Sequence, residues 1–137
     1  MRRCAITLVL MLVGCRSPSS TSRPPDLGVA FDEAVEAYTL YVLPNSMAQP
    51  EGTDLDALQK QRLRRFEDAS KVLHSAEGVA FLDRRLSGER DDLVLICGIH
   101  VLEESGQPAA TAVIRRYVAS PEPTVAVHAN AALANAR

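Results

Sequence analysis

The sequence predicts an all-α fold: a short α-solenoid of stacked helical pairs behind an N-terminal helical segment. Three observations predict it. Apolar residues recur every three or four positions in one segment after another, the spacing of a single helix face. Capping residues, glycines and prolines punctuate the chain where each segment starts and stops. Two stretches coincide when the chain is slid past itself by 31 residues, a period that belongs to stacked repeats.

Asp26 is placed to cap a first helix running to about Leu43. Leu27, Phe31, Ala34, Tyr38 and Tyr41 form its apolar face, and Asp32, Glu33 and Glu36 lie off that face. Pro44 stops it, and residues 45–52 read as a loop. Thr53, Asp54, Leu55 and Asp56 resemble a capping box with Asp in the final place. They predict a long helix over about 54–75 that buries Leu55, Leu58, Phe66, Ala69 and Leu73. A shorter helix over about 77–87 turns Val79, Leu82 and Leu86 inward, and Gly88 ends it. Asp91 caps a strongly apolar helix over 93–104, which Gly106 terminates. Pro108 opens the next helix at a position where a missing N–H costs nothing, and that helix runs to about 119. Residues 120–123, with two prolines, lead into the last helix over 124–136. Leu93 to Ile96 is the one β-leaning run, but the Asp before it and the helical spacing after it favour a helix.

The chain ahead of these helices is of another kind. Arg2 and Arg3 precede an apolar run from Ala5 to Val13, interrupted only by Thr7 and closed by Leu12, Val13, Gly14 and Cys15. The run is far shorter than the roughly 20 residues an apolar helix needs to cross a bilayer. A basic start, an apolar core and a box ending in cysteine resemble a bacterial lipoprotein signal peptide. The resemblance implies that residues 1–14 are removed. It also implies that Cys15 carries a diacylglycerol on its thiol and an N-acyl chain, which makes membrane lipid its partner. Arg16, rather than Asp, at the next position implies the outer membrane of a Gram-negative cell envelope. Residues 15–25 are then the lipidated cysteine and a flexible Ser/Pro linker with nothing to bury. Such a linker spans up to about 30 Å.

Removal of 1–14 takes Arg2 and Arg3 and leaves 123 residues, with 13 basic against 17 acidic side chains and a net charge of −4. Without a basic excess or any Trp, nucleic-acid binding is not expected. Cys4 leaves with the signal and Cys15 is consumed by lipid, so Cys97 is the remaining thiol and no intramolecular disulfide can form.

Under the shift of 31, Val94, Ile96, Gly98 and Leu102 fall on Val125, Val127, Ala129 and Leu133. Leu82, Arg84, Arg85 and Leu86 fall on Val113, Arg115, Arg116 and Tyr117. An earlier copy around Ala69, Val72 and Leu73 needs a shift of 29. The run from Ser120 to Val125, followed by Ala129, Ala132 and Leu133, resembles the first helix of a HEAT-like repeat. Leu102, Gly106, Pro108, Ala110 and Val113 resemble its turn and second helix. The resemblance covers about 62–137, two units plus a terminal half, behind an N-terminal helical segment at 26–61. Its first unit is poorly matched, and its last lacks a second helix. Residues 27–75 are expected to cap one end. Asn130 and Asn135 are expected on the outer side of the last helix, a polar face that suits the cap of the other end.

In HEAT-like arrays the second helices line the concave surface. The resemblance therefore implies that Arg84, Arg85, Arg115 and Arg116 form a basic ridge fit for carboxylates or phosphates. The residues themselves favour the plainer reading, solvated arginines at helix ends paired with Asp83, Glu89 or Glu122. Cys97 and His100 are three residues apart on one helical face, and the shift sets His128 beside Cys97. These three are a thin metal candidate without a fourth ligand, and Cys97 is more simply a small buried hydrophobe. No metal, and no cofactor beyond the lipid on Cys15, is expected. No G-x-S-x-G, H-E-x-x-H, phosphate-loop or C-x-x-C pattern occurs. The expected function is that of a non-enzymatic, membrane-anchored envelope lipoprotein, a helical-repeat scaffold or adaptor for an envelope protein partner. The alternative is an inhibitor or immunity-type lipoprotein that blocks an envelope enzyme or toxin.

Overall fold

The computed structural model describes residues 24–43 and 50–136. The signal segment, Cys15 and most of the Ser/Pro linker lie outside the described residues. Within them the fold is all-α, with no strand. The helices are α1 (Leu27–Val42), α2 (Leu55–Lys71), α3 (Ala76–Leu86), α4 (Asp92–Ser105), α5 (Pro108–Arg115) and α6 (Pro123–Asn135).

Four starts are fixed by side-chain oxygens that take up otherwise orphaned backbone N–H groups. Asp26 accepts from Gly28 and Val29, Asp54 from Ala57, Ser75 from Gly78, and Asp91 from Leu93 and Val94. The α2 cap is thus Asp54 and not Thr53, whose hydroxyl instead donates to the Pro50 carbonyl at 2.7 Å. Pro108 and Pro123 open α5 and α6. Gly106, at φ +60°, closes α4 in the left-handed conformation that glycine adopts without a Cβ penalty.

Two helices end earlier than their periodicity suggests. α2 stops at Lys71 because the chain tightens, with Leu73 N–H bonding Ser70 O and His74 N–H bonding Lys71 O. α5 stops at Arg115 in the same way, through Arg116 to Val113 and Tyr117 to Ile114. α3 ends at Ser87, which keeps right-handed geometry, so Gly88 is not a left-handed cap. Leu55 is 54% exposed and Tyr41 37% exposed. Leu55 opens α2, one turn before Leu58, the first residue of that stripe to be covered.

α4 is the centre. It packs against α1, α3, α5 and α6. Leu95, Ile96, Cys97, Gly98, Ile99, Val101 and Leu102 are all buried, which is what a helix that is apolar nearly all round requires. α1, α4 and α6 lie side by side, linked through Tyr38–His100 and His100–His128 ring contacts at 5.5 and 5.1 Å. α3 and α5 pack against each other and against α4.

The neighbour of α4 in this row is α1, where the repeat pattern pointed to residues 62–75. α2 is too polar for that place. It carries Lys60, Arg62, Arg64, Arg65, Glu67 and Asp68 around a narrow apolar stripe. α1 offers Ala30, Phe31, Ala34, Ala37 and Tyr38, all buried, and packs against both α2 and α4. α2 then completes the end of α1. Arg62 Nη1 donates to Leu40 O at 2.9 Å and Gln59 Nε2 to Tyr41 O at 3.0 Å, which satisfies last-turn carbonyls. The division expected between residues 61 and 62 falls inside this helix.

Candidate functional site

The four arginines singled out by the repeat sit where α3 and α5 end. Arg84 and Arg85 are in the last turn of α3, Arg115 is the last residue of α5, and Arg116 is its C-cap. A cation there meets the negative end of each helix dipole. All four are exposed, but they are not equivalent.

Arg85 is held. Its Nη1 donates to Glu89 Oε2 at 2.6 Å, and its guanidinium carbon lies 5.8 Å from the centre of the Phe31 ring. Phe31 is fully buried and meets Phe81 edge-on at 6.3 Å. Glu89 is in turn fixed by the chain, its Oε1 accepting from Arg90 N–H at 2.8 Å and Asp91 N–H at 3.0 Å. The Asp91 N–H, then Arg85, then the Arg90 N–H hold the Glu89 carboxyl down at about 2. Arg116 is also held, forking onto both carboxylate oxygens of Asp83, with the longer contact at 3.4 Å. The guanidinium groups of Arg84 and Arg115 make no hydrogen bond or ion pair with the described residues. The pattern is two pinned guanidinium groups, each beside one that is open to solvent.

Next to them lies a cleft of about 480 Å³ between the α3–α4 and α5–α6 connections. Glu89, Arg90, Leu95, Arg116, Tyr117 and Glu122 are among its lining residues. Its walls mix both signs of charge over an apolar floor, and burial raises the Tyr117 phenol above its ordinary value. The sequence shift flagged Arg116 and Tyr117. It could not flag the cleft, because the cleft is made by two connections whose residues have no periodicity.

The metal candidate is not assembled. His128 packs against His100, not against Cys97. Residues one repeat apart point the same way rather than at each other. Cys97 is near enough to Tyr38 on α1 to help raise its phenol, while the His128 ring meets His100 on α4. Cys97 is fully buried, and burial, with Glu104 adding to it, pushes its thiol up to about 12. No three His, Cys, Asp or Glu side chains among the described residues are grouped to hold a metal ion.

What replaces it is a row of rings. Phe66, Tyr38, His100 and His128 succeed one another at 5.5, 5.5 and 5.1 Å. Burial lifts the Tyr38 phenol to about 12. Burial and the neighbouring His128 lower His100, against the opposing pull of Glu103, whose Oε2 is 3.7 Å from His100 Nδ1. A groove of about 220 Å³ opens beside this row, lined in part by Tyr38, Tyr41, Leu63, Phe66, His100 and Glu104. Glu104 also accepts from Ser70 at 3.2 Å and lies 3.9 Å from His74 Nε2, a buried nitrogen with no hydrogen-bond partner. The buried Ser70 hydroxyl faces the Glu104 carboxylate and the Glu67 carbonyl, not a histidine that could take its proton.

No helix among the described residues is long and apolar enough to cross a membrane. The chain matches no family model, no curated protein and no solved structure, and its function is read from its own residues.

Proposed function

We propose that this chain is an envelope lipoprotein, tethered through lipid on Cys15, whose helical pairs stack as a short HEAT-like α-solenoid and dock an acidic surface of a protein partner. The observation that carries the reading is the state of the arginines. Arg84 and Arg115 occupy equivalent places in the repeat, and both keep their donors open to solvent. Arg85 and Arg116 beside them are already tied to Glu89 and Asp83. A guanidinium offers five donors in a planar fork that matches a carboxylate. Two of them on neighbouring helices suit a partner with two spaced carboxylates. The role is binding and steering rather than chemistry.

In-cell photo-cross-linking from a probe at position 119, beside the arginines, tests it. The wild-type chain is expected to capture one envelope protein. The double charge reversal Arg84→Glu and Arg115→Glu is expected to reduce capture about tenfold or more. The thermal midpoint falls only by the loss of two exposed helix-end charges, about 0.3–1 kcal/mol each. Arg84→Gln with Arg115→Gln, which keeps the helix ends neutral, is expected to weaken capture in the same direction. Undiminished capture by the double variant contradicts the reading.

A further inference from the structure

We infer that the outward face of α6 is a self-association surface, which takes the α6 of a second copy of this chain and closes a two-fold dimer. The surface is separate from the arginines, and its case does not depend on them.

The internal repeat shows what such a face is built for. On α4, Ile96, Ile99, His100 and Glu103 share one side, at the i, i+3, i+4, i+7 spacing. That side is turned to α6, since His100 packs on His128 and Glu103 Oε1 accepts from Asn135 Nδ2 at 2.7 Å. Ile96 is 4% exposed and Ile99 is 0% exposed. The residues 31 positions on are Val127, Asn130, Ala131 and Ala134. All four are exposed, and Val127 is 66% exposed. α6 therefore presents, uncovered by any described residue, the face that α4 covers with a helix.

The chemistry of α6 selects the occupant. Of its 13 residues none is Asp, Glu, Lys or Arg, in a chain that is 23% charged. A two-fold contact sets each residue against a copy of the same surface. A charge near the two-fold axis would meet its own copy, and α6 has none. Ala131 and Ala134 let the two helix axes approach to about 8 Å. The amide N–H groups of the asparagines are already engaged. Asn130 Nδ2 donates to Ala126 O at 2.8 Å within its own helix, and Asn135 is engaged by Glu103. Head-to-tail stacking is disfavoured. At the other end of the row α1 is packed by α2, whose Arg65 lies 3.5 Å from Glu33 and 3.3 Å from Glu36, so an uncharged helix docking there would have to desolvate ion pairs without replacing them. One helix pair, about 20 Å long, is a small interface, and the dimer it makes is weak and dependent on concentration.

Disulfide capture in the full chain tests this. Ala131→Cys places a thiol at the centre of the face. Ala80→Cys places one on the exposed side of α3, away from it, and Cys97 is buried. Oxidation is expected to yield a band of twice the chain mass for Ala131→Cys, about tenfold stronger than for Ala80→Cys or the parent chain. Adding Val127→Glu is expected to remove it at an unchanged thermal midpoint, as for a change at an exposed position. Ala134→Glu repeats the test should Val127→Glu disturb folding. Equal bands from Ala131→Cys and Ala80→Cys, a band that survives both glutamates, or capture of a species of another mass in place of the homodimer overturns the inference.

Discussion

Glu89 joins two parts of the molecule at one carboxylate: the last turn of α3 through Arg85, and the backbone of Arg90 and Asp91 that leads into α4. Its folded value of about 2 lies below the ordinary 4.5. The ionised form is therefore favoured by folding, and the stabilisation is full above pH 4.5 and lost as the pH falls toward 2. Glu89→Gln is expected to cost about 1 kcal/mol or less at neutral pH, because the pair lies at a screened surface. Urea titrations of both proteins should show that gap closing between pH 4.5 and 2. A gap that widens on acidification would mean that Glu89 is not the group being held. At this scale the sequence was legible in part. Arg85 with Glu89 and Arg116 with Asp83 are among the helix-end pairings its charges suggested. The backbone bonds to Glu89 were not legible, since they depend on how the α3–α4 connection folds back.

The same limit explains the helices. Five starts were visible as Asp26, Asp91, Pro108, the box around Asp54 and the proline cluster before α6, because a cap or an N1 proline acts locally. The ends of α2 and α5 were not, because apolar residues continue in register beyond Lys71 and Arg115 while the backbone has already tightened. The repeat told which residues are equivalent but not which helices touch, and α1 took the place on α4 that periodicity assigned to residues 62–75. Equivalence does explain Gly98. A Cβ there would lie 2.5 Å from Leu86 Cδ1, and Leu86 is buried, so its side chain would have to shift within the core. In the next unit Tyr117 stands in place of Leu86 and is only half-buried, and Ala129 is accommodated in place of Gly98. Gly98→Ala is accordingly expected to destabilise by about 1–3 kcal/mol through overpacking, despite alanine's better helix propensity. A denaturation midpoint that rises instead would deny the close approach of α3 to α4.

As a whole, the described residues form a helical body around α4, with a basic helix-end cluster at α3 and α5 and an uncharged face on α6. The all-α class was legible because helix periodicity and capping are local signals. The cleft beside Arg116 and the ring row from Phe66 to His128 were not, since both join residues more than 25 positions apart that no short-range pattern links. The proposed role needs one further feature, the tether, which would hold the arginines within the linker's reach, up to about 30 Å, of a membrane. A chain with two or more acyl groups stays with the membrane, since each buried methylene contributes about 0.8 kcal/mol. The most direct measurement is the intact mass of the protein extracted from membranes, with fragmentation to locate the modification. The proposal predicts a species that begins at Cys15 and carries diacylglycerol and an N-acyl chain there. An unmodified chain that still begins at Met1 and partitions with the soluble fraction would contradict it.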